Sequence, residues 1–142
     1  MEAVINANAT VTKNSNKTLW AGYVVTAIPV LFLLMDGIMK LFKPAVVVNA
    51  TLELGYSESV IVPLGIVLTA CTVLYIIPRT AVLGAILLTG YLGGAVATHV
   101  RVGAGAFNGL FPVIVGLFVW GGLYLRDTRL VEILPLRSKI LG

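Results

Sequence analysis

The sequence predicts an all-α protein, a transmembrane four-helix bundle with short loops and both termini in the cytoplasm. Three observations carry this reading. Of 142 residues, 58% are hydrophobic and 11% charged, with a mean hydropathy of +1.00, whereas an ordinary soluble domain carries roughly 25% charged residues. The apolar residues fall into four runs, each near the ~20 residues that a helix needs to cross a bilayer. Basic residues collect at one set of helix ends. Four such spans use most of the chain, so no separate soluble domain fits. The single cysteine, Cys71, excludes a disulfide framework within the chain.

Residues 1–17 are polar and asparagine-rich and contain no apolar run long enough for a signal-peptide core, so they read as a short mobile tail. The membrane domain follows over residues 18–130. Its first span, 19–42, carries no charge before Asp36 and Lys40 and ends at Lys43 and Pro44. The next segment is the longest loop. Interleaved apolar and polar residues from Val46 to Leu54 predict a short interfacial helix within it. The second span, 60–77, is closed by Pro78 and Arg79, a pair that resists helix continuation and suits the aqueous boundary. A very short turn leads to the third span, 81–100. A glycine-rich loop, Gly103 to Gly109, then leads to the fourth, 110–125, with Pro112 in its first turn. Residues 131–142 form a basic C-terminal tail.

Along the third span Ala81, Ala85, Thr89, Gly93 and Ala97 recur every four residues, and Gly90 and Gly94 add a GxxxG pair. Apolar contact alone does not drive helices together in lipid, whereas small residues permit close backbone approach. Gly90, Gly93, Gly94 and Ala97 are therefore expected to pack helices, with the third span central. Four spans place both termini on one side. That side holds Lys13, Lys17, Arg79, Arg126, Arg129, Arg137 and Lys139, against Lys40, Lys43 and Arg101 on the other, so the termini are expected to be cytoplasmic. Trp20, Tyr23, Tyr75, Trp120 and Tyr124 fall at the same ends, where amphipathic rings favour the headgroup layer. Phe42, Tyr56, Phe107 and Phe111 mark the opposite boundary.

Familiar catalytic signatures are missing: there is no GxGxxG after a strand, no Walker spacing and no hydrolase-like set of serine, histidine and carboxylate. With one histidine and one cysteine on different helices, no metal site is expected, and a lone imidazole is weak ground for haem. The basic residues lie between apolar runs, so the anionic partner they imply is a lipid surface, and no nucleic-acid role is expected. The remaining ionisable groups sit near the outer ends of the first and third spans. Asp36 lies 17 residues beyond Leu19 and His99 lies 18 beyond Ala81, which at 1.5 Å per residue places both about 26 Å from the cytoplasmic boundary.

Asp36 and Lys40, four apart, share a helical face, and His99 and Arg101 close the third span at the same height. Charges at membrane depth are costly and face a bundle interior or a water-filled cavity. His99, Lys40 and Asp36 are therefore the candidate catalytic residues, and Tyr91, Arg101 and Thr89 the candidate ligand-binding residues. Simpler roles compete. Lys40 and Arg101 can snorkel to headgroups, Asp36 can merely pair with Lys40, and His99 can bond to Thr98 or a backbone carbonyl. Thr89 can back-bond to its own helix. The Tyr91 phenol, in mid-span, is expected to bond across the bundle or else to line a cavity.

Longer blocks add a family signal. DGIMKLFKP at 36–44, ELGY at 53–56, PRTAVLGAILLTGYLGGAVATHVR at 78–101 and LYLRD at 123–127 together resemble the DoxX-like family of small four-helix bacterial membrane proteins. The resemblance extends from Leu19 to about Leu130 and implies a multi-pass protein of the bacterial inner membrane. The family name comes from a membrane subunit associated with thiosulfate-to-quinone electron transfer, and other relatives are similar to membrane partners of redox-defence proteins or to assembly factors. The resemblance thus implies a quinone as the candidate cofactor. Beside the lipid bilayer, it implies a redox protein, another membrane protein or a second copy of the chain as the candidate partner. Two functions follow. The first is binding of a lipophilic ligand, of quinone or isoprenoid type, in a membrane subunit of a redox-linked complex. The alternative is a non-catalytic scaffold or assembly partner that docks through the third span. Transport is least favoured, because four short spans without an internal repeat leave little room for alternating access. Whether the chain is an enzyme is left open by its sequence.

Overall fold

The structure, a computed structural model, describes residues 16–133, with side chains to Leu130. The expected tails lie outside it beyond those limits, together with Lys13, Arg137 and Lys139 of the charge count. The described residues form α1 (Asn16–Phe42), α2 (Ala45–Glu53), a 3-10 turn (Glu58–Val60), α3 (Ile61–Ile76), α4 (Ala81–Arg101), α5 (Ala106–Arg126) and α6 (Thr128–Ile133), with no strand among them. The helices α1, α4 and α5, and α3 with the turn before it, are long and apolar enough to cross a membrane. The short α2 is a helix one residue ahead, at each end, of the one expected over Val46 to Leu54.

Two boundaries differ from expectation. Helix α1 already includes Asn16 and Lys17, and α5 begins at Ala106 instead of Leu110. At the second boundary Gly105 adopts φ +86°, a region open to glycine, so the chain reverses directly into the helix. Residues 106–109 therefore belong to the span and not to a loop.

The membrane helices face lipid on one side and small residues on the other. In α1 the buried positions are Gly22, Thr26, Pro29, Leu33 and Gly37, spaced by three or four, while Val24, Ile28, Leu31, Met35 and Ile38 are exposed on the outer face. The pattern follows from the solvent: hydrocarbon gives bulky apolar groups no reason to hide, so the interface goes to residues that let backbones approach.

The four spans stand as the corners of a ring. Helix α1 packs against α3 and α5, and α4 packs against the same two, which leaves α1 and α4 diagonally opposed. The third span is thus one corner, not the centre that its small-residue stripe suggested. The closest approaches lie elsewhere. A Cβ on Gly122 would stand 2.9 Å from Thr26 N and one on Gly22 3.0 Å from Arg126 N, which marks the α1–α5 crossing. A Cβ on Gly65 would stand 3.0 Å from the Gly37 carbonyl oxygen, which marks the α1–α3 crossing.

The packed core lies toward the end that carries the α3–α4 turn, with Leu33, Leu68, Tyr75, Leu88 and Val119 fully or almost fully buried. Tyr75 was expected in the headgroup layer. Instead its hydroxyl donates to the Val119 carbonyl at 2.7 Å, because the close α3–α4 turn and the end of α5 cover the ring. Trp120, expected at the same boundary, reaches across to α4, where its indole N–H donates to Thr89 Oγ1 at 2.8 Å. Trp20 and Tyr23 are exposed, as boundary rings should be.

Candidate functional site

Away from that core, in the other half of the bundle, a cavity of about 410 Å³ opens between the diagonal helices α1 and α4. Its apolar walls are Phe32 and Leu33 of α1, Leu92 of α4, and Phe111, Pro112 and Val115 of α5. The rings of Phe32 and Phe111 meet edge to face at 5.1 Å, a favoured aromatic geometry that stiffens this wall. Thr51, Leu54 and Tyr56, from α2 and the turn after it, form a roof.

Four of the six candidate catalytic and ligand residues line this one space: Asp36 and Lys40 from α1, Tyr91 and His99 from α4. Asp36 Oδ2 and Lys40 Nζ are paired at 2.5 Å, one helical turn apart, with the lysine side chain 16% exposed and the carboxylate 35%. The pair is neutral as a whole, so it presents a dipole to the cavity and not a net charge. An ammonium has three donors and a carboxylate about four acceptor sites, so each retains capacity beyond their mutual bond.

His99 Nδ1 lies 2.7 Å from the Ala95 carbonyl oxygen. A carbonyl can only accept, so Nδ1 carries the proton, and in the neutral ring Nε2 is then an acceptor. This satisfies half of the ring through its own helix, as the packing role required, and leaves Nε2 without a hydrogen bond among the described residues. The Tyr91 hydroxyl likewise has no protein partner among them. Of the two expectations for this phenol, the structure places it on the cavity wall and not in a bond across the bundle.

Arg101 and Thr89 take other positions. The Arg101 guanidinium donates to the Leu54 carbonyl at 2.9 Å and lies 5.7 Å from the Tyr56 ring centroid, so it fastens the roof from outside. Thr89 back-bonds to Ala85 at 2.7 Å and accepts from Trp120, away from the cavity. The glycines divide as well. Gly90 and Gly94 line the cavity, and a Cβ on Gly90, Gly93 or Gly94 would meet nothing within 4 Å. Gly93 and Ala97 are exposed. Within the chain, then, the GxxxG pair makes room instead of bringing helices together.

Sequence reasoning did not place Thr51, Tyr56 or Thr98 in the site. Thr98 donates to the Gly94 carbonyl at 2.8 Å, which leaves its oxygen to accept from the Tyr56 hydroxyl, also at 2.8 Å. Tyr56 therefore ties the roof to α4. Its sequence signals were its place among the rings of the outer boundary and its place in the ELGY block, at the end of α2.

Comparison with known proteins adds a family. The model of the DoxX-like family matches residues 24–122, which takes in α3 and α4 whole and most of α1 and α5. No curated protein and no solved structure matches the chain.

Proposed function

Since the chain belongs to the DoxX-like family and is a small integral membrane protein, we propose that it binds a lipophilic ligand with an oxygen-bearing head, of quinone or isoprenoid type, in the cavity between α1 and α4. One observation supports this most. An apolar cavity of about 410 Å³, inside the roughly 300–1,000 Å³ range of small-molecule sites, gathers unsatisfied polar groups on one side, among them the Tyr91 hydroxyl and His99 Nε2. Polar groups left unpaired in such surroundings cost free energy that a ligand's oxygens would recover.

In this reading Phe32, Phe111 and Val115 hold the apolar body. The Tyr91 hydroxyl and Lys40 ammonium donate to a ligand oxygen. Asp36 keeps Lys40 in place, and His99 Nε2 accepts or returns a proton. Arg101 and Tyr56 position the roof and do not touch the ligand. A quinone would supply two-electron, two-proton chemistry, and the chain's own part would be to orient it and move protons. The same reading places the protein in the bacterial inner membrane as a subunit of a redox-linked complex, with cytoplasmic termini on the strength of the basic-residue count.

The test is to extract the lipids that co-purify with the chain in mild detergent and weigh them by mass spectrometry, then to repeat this with Tyr91→Phe and His99→Ala. A stoichiometric quinone or isoprenoid that declines in both variants is expected. Unliganded protein that also fails to bind an added short-chain quinone would refute the proposal. A scaffold role is the second reading and draws on Gly93 and Ala97, which present an open, small-residue strip on the exposed side of α4. It predicts that Gly93→Leu breaks a pull-down complex and leaves the extracted lipids unchanged.

A further inference from the structure

A second cavity, about 300 Å³, lies at the opposite end of the bundle, where α1 and α4 begin and α3 and α5 end. Its wall is polar and basic: Tyr23, Arg79, Arg126, Asp127, Thr128 and Arg129. Arg126 is fixed there. Its Nη2 donates to the Tyr75 carbonyl at 2.9 Å, its Cζ stands 4.8 Å from the Tyr75 ring centroid, and its Nε is buried without a hydrogen-bond partner. Arg79 and Arg129 are exposed, and neither guanidinium makes an ion pair or hydrogen bond among the described residues.

The one carboxylate on the wall belongs to Asp127, which accepts from the Arg129 backbone N–H at 3.0 Å and forms no ion pair among the described residues. Among the described side chains, three guanidiniums thus face one carboxylate on this wall. A cleft lined mainly by one sign of charge focuses the field and raises the local concentration of counter-ions. Guanidinium forks match phosphate oxygens in bidentate geometry. The depth is also right for a headgroup, since Trp20, 72% exposed, and Tyr23, 59% exposed, lie on α1 at this level and mark the interfacial layer. Basic pockets between membrane helices are a recurrent receptacle for anionic lipid heads.

We propose that this cavity binds a phosphate group, carried by an anionic phospholipid or free in solution, with Arg79 and Arg129 as its contacts and Arg126 as the fixed wall behind them. The site is separate from the cavity between α1 and α4 and stands whether or not that cavity holds a quinone.

The experiment uses the full chain in detergent, titrated with phosphatidylglycerol or phosphatidylcholine and read by native mass spectrometry. Phosphatidylglycerol should bind at least tenfold more tightly. Arg79→Gln and Arg129→Gln should each weaken it about fivefold, the usual effect of one basic residue at a membrane surface. Lys43→Gln, an equal loss of charge at the other end, should change nothing. Arg126 is left intact because it caps α3, and circular dichroism confirms that the variants keep their helices. Inorganic phosphate distinguishes the sources: displacement of phosphatidylglycerol by phosphate marks a site for the free anion, and indifference to phosphate marks a lipid head. Equal retention of the two lipids, together with no binding of inorganic phosphate, would overturn the proposal. So would undiminished phosphatidylglycerol binding by the Arg79→Gln/Arg129→Gln variant, or an equal loss in Lys43→Gln.

Discussion

Gly94→Leu separates the ligand site from the stability of the bundle. Gly94 lines the cavity between α1 and α4, and a Cβ there meets nothing within 4 Å, so the new side chain enters space that the protein does not use for packing. Its four carbons, each taken at the ~30 Å³ that one water occupies, fill about 120 Å³. That is a large part of a cavity of about 410 Å³, which is already near the lower end of the range of small-molecule sites. At the same time leucine favours a helix over glycine by up to about 1 kcal/mol. The expected outcome is a protein that melts no earlier than the parent yet binds a short-chain quinone at least tenfold more weakly, a loss of about 1.4 kcal/mol. Equilibrium binding in lipid nanodiscs, beside a thermal melt followed by circular dichroism, measures both quantities. Gly93→Leu is the control, because it makes the same propensity change outside the cavity. Unchanged quinone affinity in Gly94→Leu, or an equal loss in Gly93→Leu, would show that the cavity is not where the ligand sits.

Other substitutions test the rest of the structure. Gly122→Ala should destabilise by about 1–3 kcal/mol, the range for overpacking, since its Cβ would press on the Thr26 backbone at 2.9 Å; denaturant titration in mixed micelles, with Gly94→Ala as the harmless comparison, measures it. Tyr75→Phe removes the buried bond to Val119 and should cost about 1 kcal/mol in the same assay. Asp36→Asn leaves Lys40 uncompensated and should cost about 1–3 kcal/mol, between the values for exposed and buried pairs, and a second change, Lys40→Met, should restore most of it in a double-mutant cycle. Tyr56→Phe loosens the roof without emptying the cavity, so a bound quinone should exchange about fivefold faster, the equivalent of one hydrogen bond, as read by stopped-flow displacement.

The parts of this architecture that depend on length and local spacing are legible in the chain. Four apolar runs of bilayer length give four spans. The four-residue separation of Asp36 and Lys40 gives their pair, and a count of helical rise puts Asp36 and His99 at one height, on the wall of one cavity. Direction around a helix is harder to read. In a soluble bundle the polar face points outward, but every face of α4 is apolar or small, so its sequence does not say which side meets α3, α5 or open space. That ambiguity made Gly90 and Gly94 look like packing residues. Tyr56 illustrates a second limit, because its bond to Thr98 joins positions 42 residues apart, and no periodicity reports a contact of that kind. The early start of α5 rests on the backbone of Gly105 alone, which a glycine permits but does not demand.

The cavity follows from where the helices are pinned. At the end that bears the second cavity, Gly22 and Gly122 hold α1 to α5, and the short turn presses α4 onto α3 so closely that a Cβ on Gly84 would overlap the Tyr75 backbone. At the other end α1 is held to α3 through Gly37 and Gly65, and α4 continues into α5 through residues 102–105. No comparable glycine contact joins α3 to α4 there. There the segment after α2 is tied to α4 by the Tyr56–Thr98 bond and the Arg101 bond to Leu54. Gly90 and Gly94, where a Cβ would meet nothing within 4 Å, leave the wall of the cavity open along α4. Asp36, Lys40, Tyr91 and His99 line the same cavity as these two glycines, so the space left unpacked along α4 is the space that the polar groups share.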